Sequence, residues 1–165
     1  MVVVIINGYP QSGKDTFVEL CDKYCDVDNV LTSTPAKNAL TLLGWDGEKT
    51  PEIRDLLSDL MYASYEYFDG PIKYVLEKIH DSKADIVFIH CREPHNIIKL
   101  KQNIPMRALT LFINRSEARN VLYTNDSDRG VEDYDYDMYI SNNQTLEELE
   151  EKAGAFVSIV LKGAY

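Results

Sequence analysis

VVVIINGYPQSGKDTFV, residues Val2 to Val18, decides how the rest of the chain is read. Val2, Val3, Val4, Ile5 and Ile6 are β-branched without alternation, which suits a strand covered on both faces in the middle of a parallel sheet. From Gly8 to Lys14 the sequence is G-Y-P-Q-S-G-K, the spacing of a phosphate-binding loop. Gly8 and Gly13 let the backbone turn so that several N–H groups face one anion, around Gln11 and Ser12. Lys14 brings a mobile positive charge for the β and γ phosphates of a nucleotide. A helix starting near Lys14 adds unpaired N–H groups and the positive end of its dipole on the same side. The competing reading, a glycine turn that merely joins strand to helix, fits the motif alone but loses most of its ground because a buried strand precedes the motif and a helix follows it.

Composition sets bounds on this site. A chain of 165 residues makes one domain able to bury roughly two thirds of its unfolded surface. With a formal net charge of -10, binding to nucleic acid or to an anionic membrane is disfavoured. A small nucleotide still binds if the few basic residues converge. The sequence has no apolar run of membrane-spanning length, and its first residues read as a strand instead of a signal, so a cytoplasmic protein is expected. Its three cysteines, Cys21, Cys25 and Cys91, fit reduced thiols, and no second pair of ligands stands at zinc spacing.

Further strands are expected at Val30–Ser33, Asp85–Cys91, Ala108–Asn114 and Met138–Ser141, with the first helix running from Lys14 to about Tyr24. Thr34 reads as an N-cap with Pro35 at the first helical position. From Pro51 a long helix is expected to about Phe68, with Ile53, Leu56, Leu57, Leu60 and Met61 on one face. Another follows to about Ser82. Roughly fifty residues thus separate the second strand from the third, far more than one crossover needs. A helix is expected from Glu93 to about Asn103. Ser116 reads as the cap of a helix fading by Tyr123, and Thr124–Asp137 as an acidic surface loop or short lid. Thr145 caps a last amphipathic helix to about Lys162. The expected fold is a three-layer α/β/α arrangement around a five-stranded parallel sheet, with a helical insertion at about 35–82 and a short lid at about 115–137.

Phosphoryl transfer needs positive charge around oxygens that stay negative. Arg92 follows the third strand, Arg115 ends the fourth, and Arg119 lies four residues on. Arg129 falls in the loop, Lys37 and Arg54 in the helical insertion. Each alone reads equally well as a solvated surface residue; their position after strand ends is what singles them out. Trp45, Tyr62, Tyr65 and Tyr67 are able to stack on a base or simply to pack a helix.

The GKDT form of the loop, with Asp15 where Ser or Thr usually stands, resembles the phage-type deoxynucleoside monophosphate kinases and the animal-type phosphomevalonate kinases. GWDGEK with Arg54, FIHCREPHNI and SDRGVEDYDYDMYISNNQTLEEL extend the likeness to the small adenylate kinase-like P-loop family. That resemblance implies ATP and Mg2+, with Asp15 at the metal and Thr16 near the α-phosphate. It implies Arg54 and Arg92 at the acceptor's phosphate, Arg115 and Arg119 near the transferred group, and Asn142 and Asn143 close to the adenine; Lys37, by its place in the helical insertion, is a further candidate for substrate binding. In relatives an Asp often stands where this chain has His90. Asp15, or secondarily Glu93, would then take over part of that carboxylate's duty, whereas the plainer reading of His90 is a neutral, hydrogen-bonded histidine. The expected partner is a small phosphorylated acceptor, most simply a (deoxy)nucleoside monophosphate, and a homodimer stays open. The alternatives are another phosphate ester as acceptor, or a nucleotide-binding regulator without turnover.

Overall fold

The structure, a computed structural model, describes residues 1–120 and 130–163, with the backbone alone at 119 and 120. Five parallel strands form one sheet: β1 (Val2–Asn7), β2 (Val27–Leu31), β3 (Ile86–His90), β4 (Ala108–Asn114) and β5 (Met138–Ser141). Their order is β2-β3-β1-β4-β5, which puts the apolar run of β1 in the middle, paired with β3 from Val2↔Ile86 and with β4 from Val3↔Ala108. Val3, Val4, Ile5 and Ile6 have no solvent exposure, as an unalternating strand covered on both faces requires.

Successive side chains of β1 point to opposite faces, and each face has its own core. Val4 and Ile6 pack with Phe17 and Val18 of α1 (Lys14–Cys21) and with Phe156 and Val157 of α6 (Leu146–Leu161). There the Phe17 and Phe156 rings meet edge to face at 5.4 Å. On the other face, Val3 and Ile5 pack with Val75 and Ile79 of α4 (Gly70–Asp81) and with Ile97 and Leu100 of α5 (Pro94–Asn103). Two further helices, α2 (Thr34–Leu42) and α3 (Pro51–Phe68), precede α4, so the insertion between β2 and β3 is helical as expected. Thr50 caps α3 and Thr145 caps α6, each hydroxyl accepting an N–H from three residues on. None of the described helices is long and apolar enough to cross a membrane.

Several boundaries differ from the expectation. The second strand lies at Val27–Leu31 instead of Val30–Ser33, because pairing with β3 at an edge overrides the turn-prone Asp28 and Asn29; only Val30 is buried. Helix α2 begins at Thr34, one residue earlier than predicted, and its Ser33 N-cap makes no side-chain cap bond. The turn at Ser116–Asn120 is a 3₁₀ helix. Its Ala118 N–H reaches the Arg115 carbonyl three residues back, so Arg115 and Arg119 do not share an α-helical face. The expected continuation to Tyr123, and the Thr124–Arg129 part of the lid with Arg129, lie outside the described residues. The described part of that segment is no plain surface loop: Val131 and Tyr136 are buried in the core. On α3 the predicted stripe is only partly covered, with Leu56 exposed and Tyr65 the one fully buried residue.

Candidate active site

The carboxyl ends of β1, β3 and β4 meet at the phosphate-binding loop. Gly8 and Gly13 adopt positive φ of 148° and 89°. A Cβ on Gly8 would stand 2.5 Å from the Ile113 carbonyl oxygen. One on Gly13 would run into the Asn142 carboxamide. Both glycines are thus demanded by close approach as well as by conformation. At the apex, Gln11 takes a positive φ of 62° without being glycine. Gly13 is the N-cap of α1 and no side chain caps that end, so the first amides of the helix lack an intrahelical acceptor and point out over the loop.

Lys14 is buried, with its ammonium turned onto the loop's own oxygens. It donates to the Gly8 carbonyl at 2.6 Å, the Tyr9 carbonyl at 2.8 Å and the Ser12 hydroxyl at 3.5 Å. A cation is thereby fixed beside a ring of backbone donors, the pairing that an anionic polyphosphate requires. Asn142 straps the loop from outside, its Nδ2 donating to the Ser12 carbonyl at 2.9 Å. Asn143 accepts from the Ser116 N–H at 2.6 Å and donates to the Ser141 hydroxyl at 3.0 Å. Thr16 sits half-buried in the first turn of α1.

Asp15 is the exposed acid of that turn, with its carboxylate 3.8 Å from the His90 Nε2 at the end of β3. Burial pushes the His90 pKa down to about 4, helped by Lys14, Arg92 and Lys37 and opposed by Asp15. The imidazole is therefore neutral, as its plainer reading supposed, and its Nε2 is buried without a hydrogen-bond partner among the described residues. Lys37 is held below the usual lysine range by its own burial and by Lys49 and Arg92, with Asp15 acting the other way. Lys14, Lys37 and Arg92 thus lie close enough to His90 to act on its charge, as Asp15 does, while Lys49 acts on Lys37. Arg54 is exposed on α3, and Arg115 lies 3.0 Å from Glu117 as an exposed pair; neither figures among the charges acting on His90 or Lys37. Glu93 faces Asn96 at 3.3 Å instead of Asp15. The Arg119 side chain lies outside the described residues.

No family model matches the chain, and no curated protein matches it in sequence. Solved structures do match its fold. Over 99% of this chain and 95% of the other it superposes on a gluconokinase from Sinorhizobium meliloti 1021, with a TM-score of 0.57 at 14% identity. A shikimate kinase from Aquifex aeolicus vf5 matches with TM-score 0.55 and 12% identity, covering 96% of each chain. The thymidylate kinase from Candida albicans matches with TM-score 0.57 and 13% identity, covering 96% of this chain and 92% of that one. The chain has the P-loop kinase fold.

The groups that such a loop implies are a nucleoside triphosphate and a divalent metal, and the residues present fit both. The uncapped amides at the head of α1 and the buried Lys14 suit a polyphosphate. No three His, Cys, Asp or Glu side chains among the described residues could hold a metal by themselves. One exposed carboxylate, Asp15, suits Mg2+, which keeps waters and takes one or two carboxylates alongside phosphate oxygens. Of the aromatic candidates, Tyr65 is core, whereas Tyr62 and Tyr67 are exposed. Trp45 donates its indole N–H to the Glu48 carbonyl at 2.7 Å and lines a cavity of about 460 Å³ with Leu40, Ile53 and Leu56.

Two residues escaped the sequence reading. Lys49 ends GWDGEK, a block whose likeness pointed to Arg54 and not to this lysine. Asn7 did leave a trace, as the polar residue that ends an otherwise apolar strand directly before Gly8.

Proposed function

We propose that this chain is an ATP-dependent kinase that transfers the γ-phosphoryl to a small phosphorylated acceptor, most simply a (deoxy)nucleoside monophosphate. The observation that carries this reading is the buried ammonium of Lys14 fixed on the P-loop, with Lys37 and Arg92 close enough to His90 beside it to act on its charge. Lys14 and the amides of the loop hold the donor phosphates. Lys37, from the helical insertion, and Arg92, after β3, face the anionic acceptor. An acceptor phosphate oxygen attacks the γ-phosphorus while the bond to the β–γ bridging oxygen breaks, and ADP leaves. No proton has to be removed, because a phosphate monoester is already ionised at neutral pH. Catalysis is then positioning and charge stabilisation. Mg2+ when bound would supply charge neutralisation to the donor phosphates, and Asp15 is the residue that would hold it.

Neutral His90 in place of a carboxylate favours a second reading, a nucleotide-binding regulator without turnover. Incubation with Mg2+-ATP and each common ribo- and deoxynucleoside monophosphate, with gluconate and shikimate as non-nucleotide acceptors, separates the two by following ADP. Acceptor-dependent ADP formation with a nucleoside monophosphate is expected. Tight ATP binding with no acceptor-dependent ADP would leave the regulatory reading. Asp15→Ala and Asp15→Ser are expected to raise the magnesium concentration needed for half-maximal turnover; an unchanged requirement removes Asp15 from the metal.

A further inference from the structure

We infer that Asn7 is a positioning residue that ties the phosphate loop to the main chain carrying Arg92, and that Tyr136 holds it in place. This rests on the kinase reading for its catalytic consequence but on hydrogen bonds for its geometry. Asn7 has no solvent exposure, and its carboxamide is fully spent. Its Oδ1 accepts the Gly8 N–H at 2.8 Å. The two hydrogens of Nδ2 go to the Arg92 carbonyl at 2.8 Å and to the Tyr136 hydroxyl at 2.6 Å. Tyr136 passes its own hydrogen to the Val131 carbonyl at 2.7 Å.

This arrangement allows one orientation only. A flipped carboxamide would set an oxygen against the Arg92 carbonyl and an NH2 against the Gly8 N–H. The network spans three parts of the chain: the first glycine of the donor site, the strand end from which Arg92 reaches the acceptor, and the segment returning after residue 129. Because a buried network is rigid only when every member is satisfied, loss of one hydroxyl loosens the whole. Donor and acceptor sides then drift relative to each other, and transfer is steeply sensitive to that separation. The Tyr136 ring stays packed on Phe112, with centroids 5.0 Å apart, whether or not it carries its hydroxyl, so the hydroxyl can be removed alone.

The test compares Asn7→Ser, Tyr136→Phe and the double variant with the wild type, by calorimetry with a non-hydrolysable ATP analogue and by steady-state rates with the best acceptor. Val160→Ala is the control, since it removes buried methyl groups near the C-terminal end of α6, away from the Asn7 network. Asn7→Ser is expected to weaken analogue binding about tenfold and lower kcat about a hundredfold, and Tyr136→Phe to lower kcat about tenfold. The double variant should be no worse than Asn7→Ser, while the control stays within about twofold when each is measured well below its own Tm. Analogue affinity of Asn7→Ser within twofold of wild type, or additive losses in the double variant, would overturn the inference. If no acceptor is turned over, the kinase reading fails by itself; the calorimetric arm still decides the Asn7 network by the same tenfold loss and the same lack of additivity.

Discussion

Two helices of this molecule are built on opposite terms. The eight-residue α1 buries Lys14, Phe17, Val18, Leu20 and Cys21, whereas the eighteen-residue α3 buries Tyr65 alone. Below the phosphate loop the chain is over-determined: core on one side of α1, strand ends on the other, Asn142 across the top. Within the insertion, α2 and α3 leave Leu42, Tyr67 and Phe68 exposed, with one side-chain cap, at Thr50, and a partial stripe. Stability concentrates where apolar contacts are dense, and segments that must yield to a ligand are drawn from the sparser parts. On the proposed function, the comparison teaches that the donor side is preformed and the acceptor side adaptable.

Four measurements break or sharpen that contrast. The largest effect is expected at Lys14: Lys14→Ala should lower acceptor-dependent ADP formation about a hundred- to a thousandfold, the usual cost of removing a donor aimed at transition-state charge. Survival of most of the rate would remove the loop from the chemistry. Next, urea unfolding should find Phe17→Ala destabilised by about 3–5 kcal/mol, and Leu42→Ala, at a position 89% exposed, within about 0.5 kcal/mol of wild type. Similar costs for the two would erase the difference between the regions.

Third, Lys37→Ala should raise the acceptor KM about ten- to a hundredfold, as for a lost hydrogen bond to a charged group, and leave calorimetric ATP affinity within about twofold. A matching loss of ATP affinity would mean that the two sides are one site. The smallest effect concerns the sheet edge. Burial tends to raise the Asp137 pKa, but the Thr110 hydroxyl and N–H, with Lys101, outweigh it and hold the carboxyl below its ordinary value. A depressed carboxylate contributes stability that is present above its unfolded pKa and is lost as pH falls through the folded one. Urea midpoints followed from pH 6 to pH 3 should therefore fall less steeply for Thr110→Val than for wild type. Parallel curves would show that the hydroxyl is not what holds the carboxyl down.

How much was legible in advance differs between the same regions. The central strand, the loop glycines, Lys14 and the caps at Thr50 and Thr145 are local: each depends on side chains within a few residues and on φ values that few residues tolerate. The edge strand was displaced by three residues, because a parallel ladder with β3 supplied hydrogen bonds that Asp28 and Asn29 do not advertise. Val131 and Tyr136 were hidden in an acidic, turn-rich segment whose composition reads as surface.

Within Val2–Val18 the sequence by itself determined that a buried strand would deliver a phosphate cradle to the head of a helix, since spacing and backbone freedom there act over a dozen residues. Only the tertiary structure decided which distant groups surround that cradle. Asn142 reached the loop across the sheet, and Lys37 came from the insertion to Asp15 and His90. Tyr136 folded back to hold Asn7. Such meetings depend on strand order and on burial, which sum contributions from the whole chain and leave no mark on any short stretch of it.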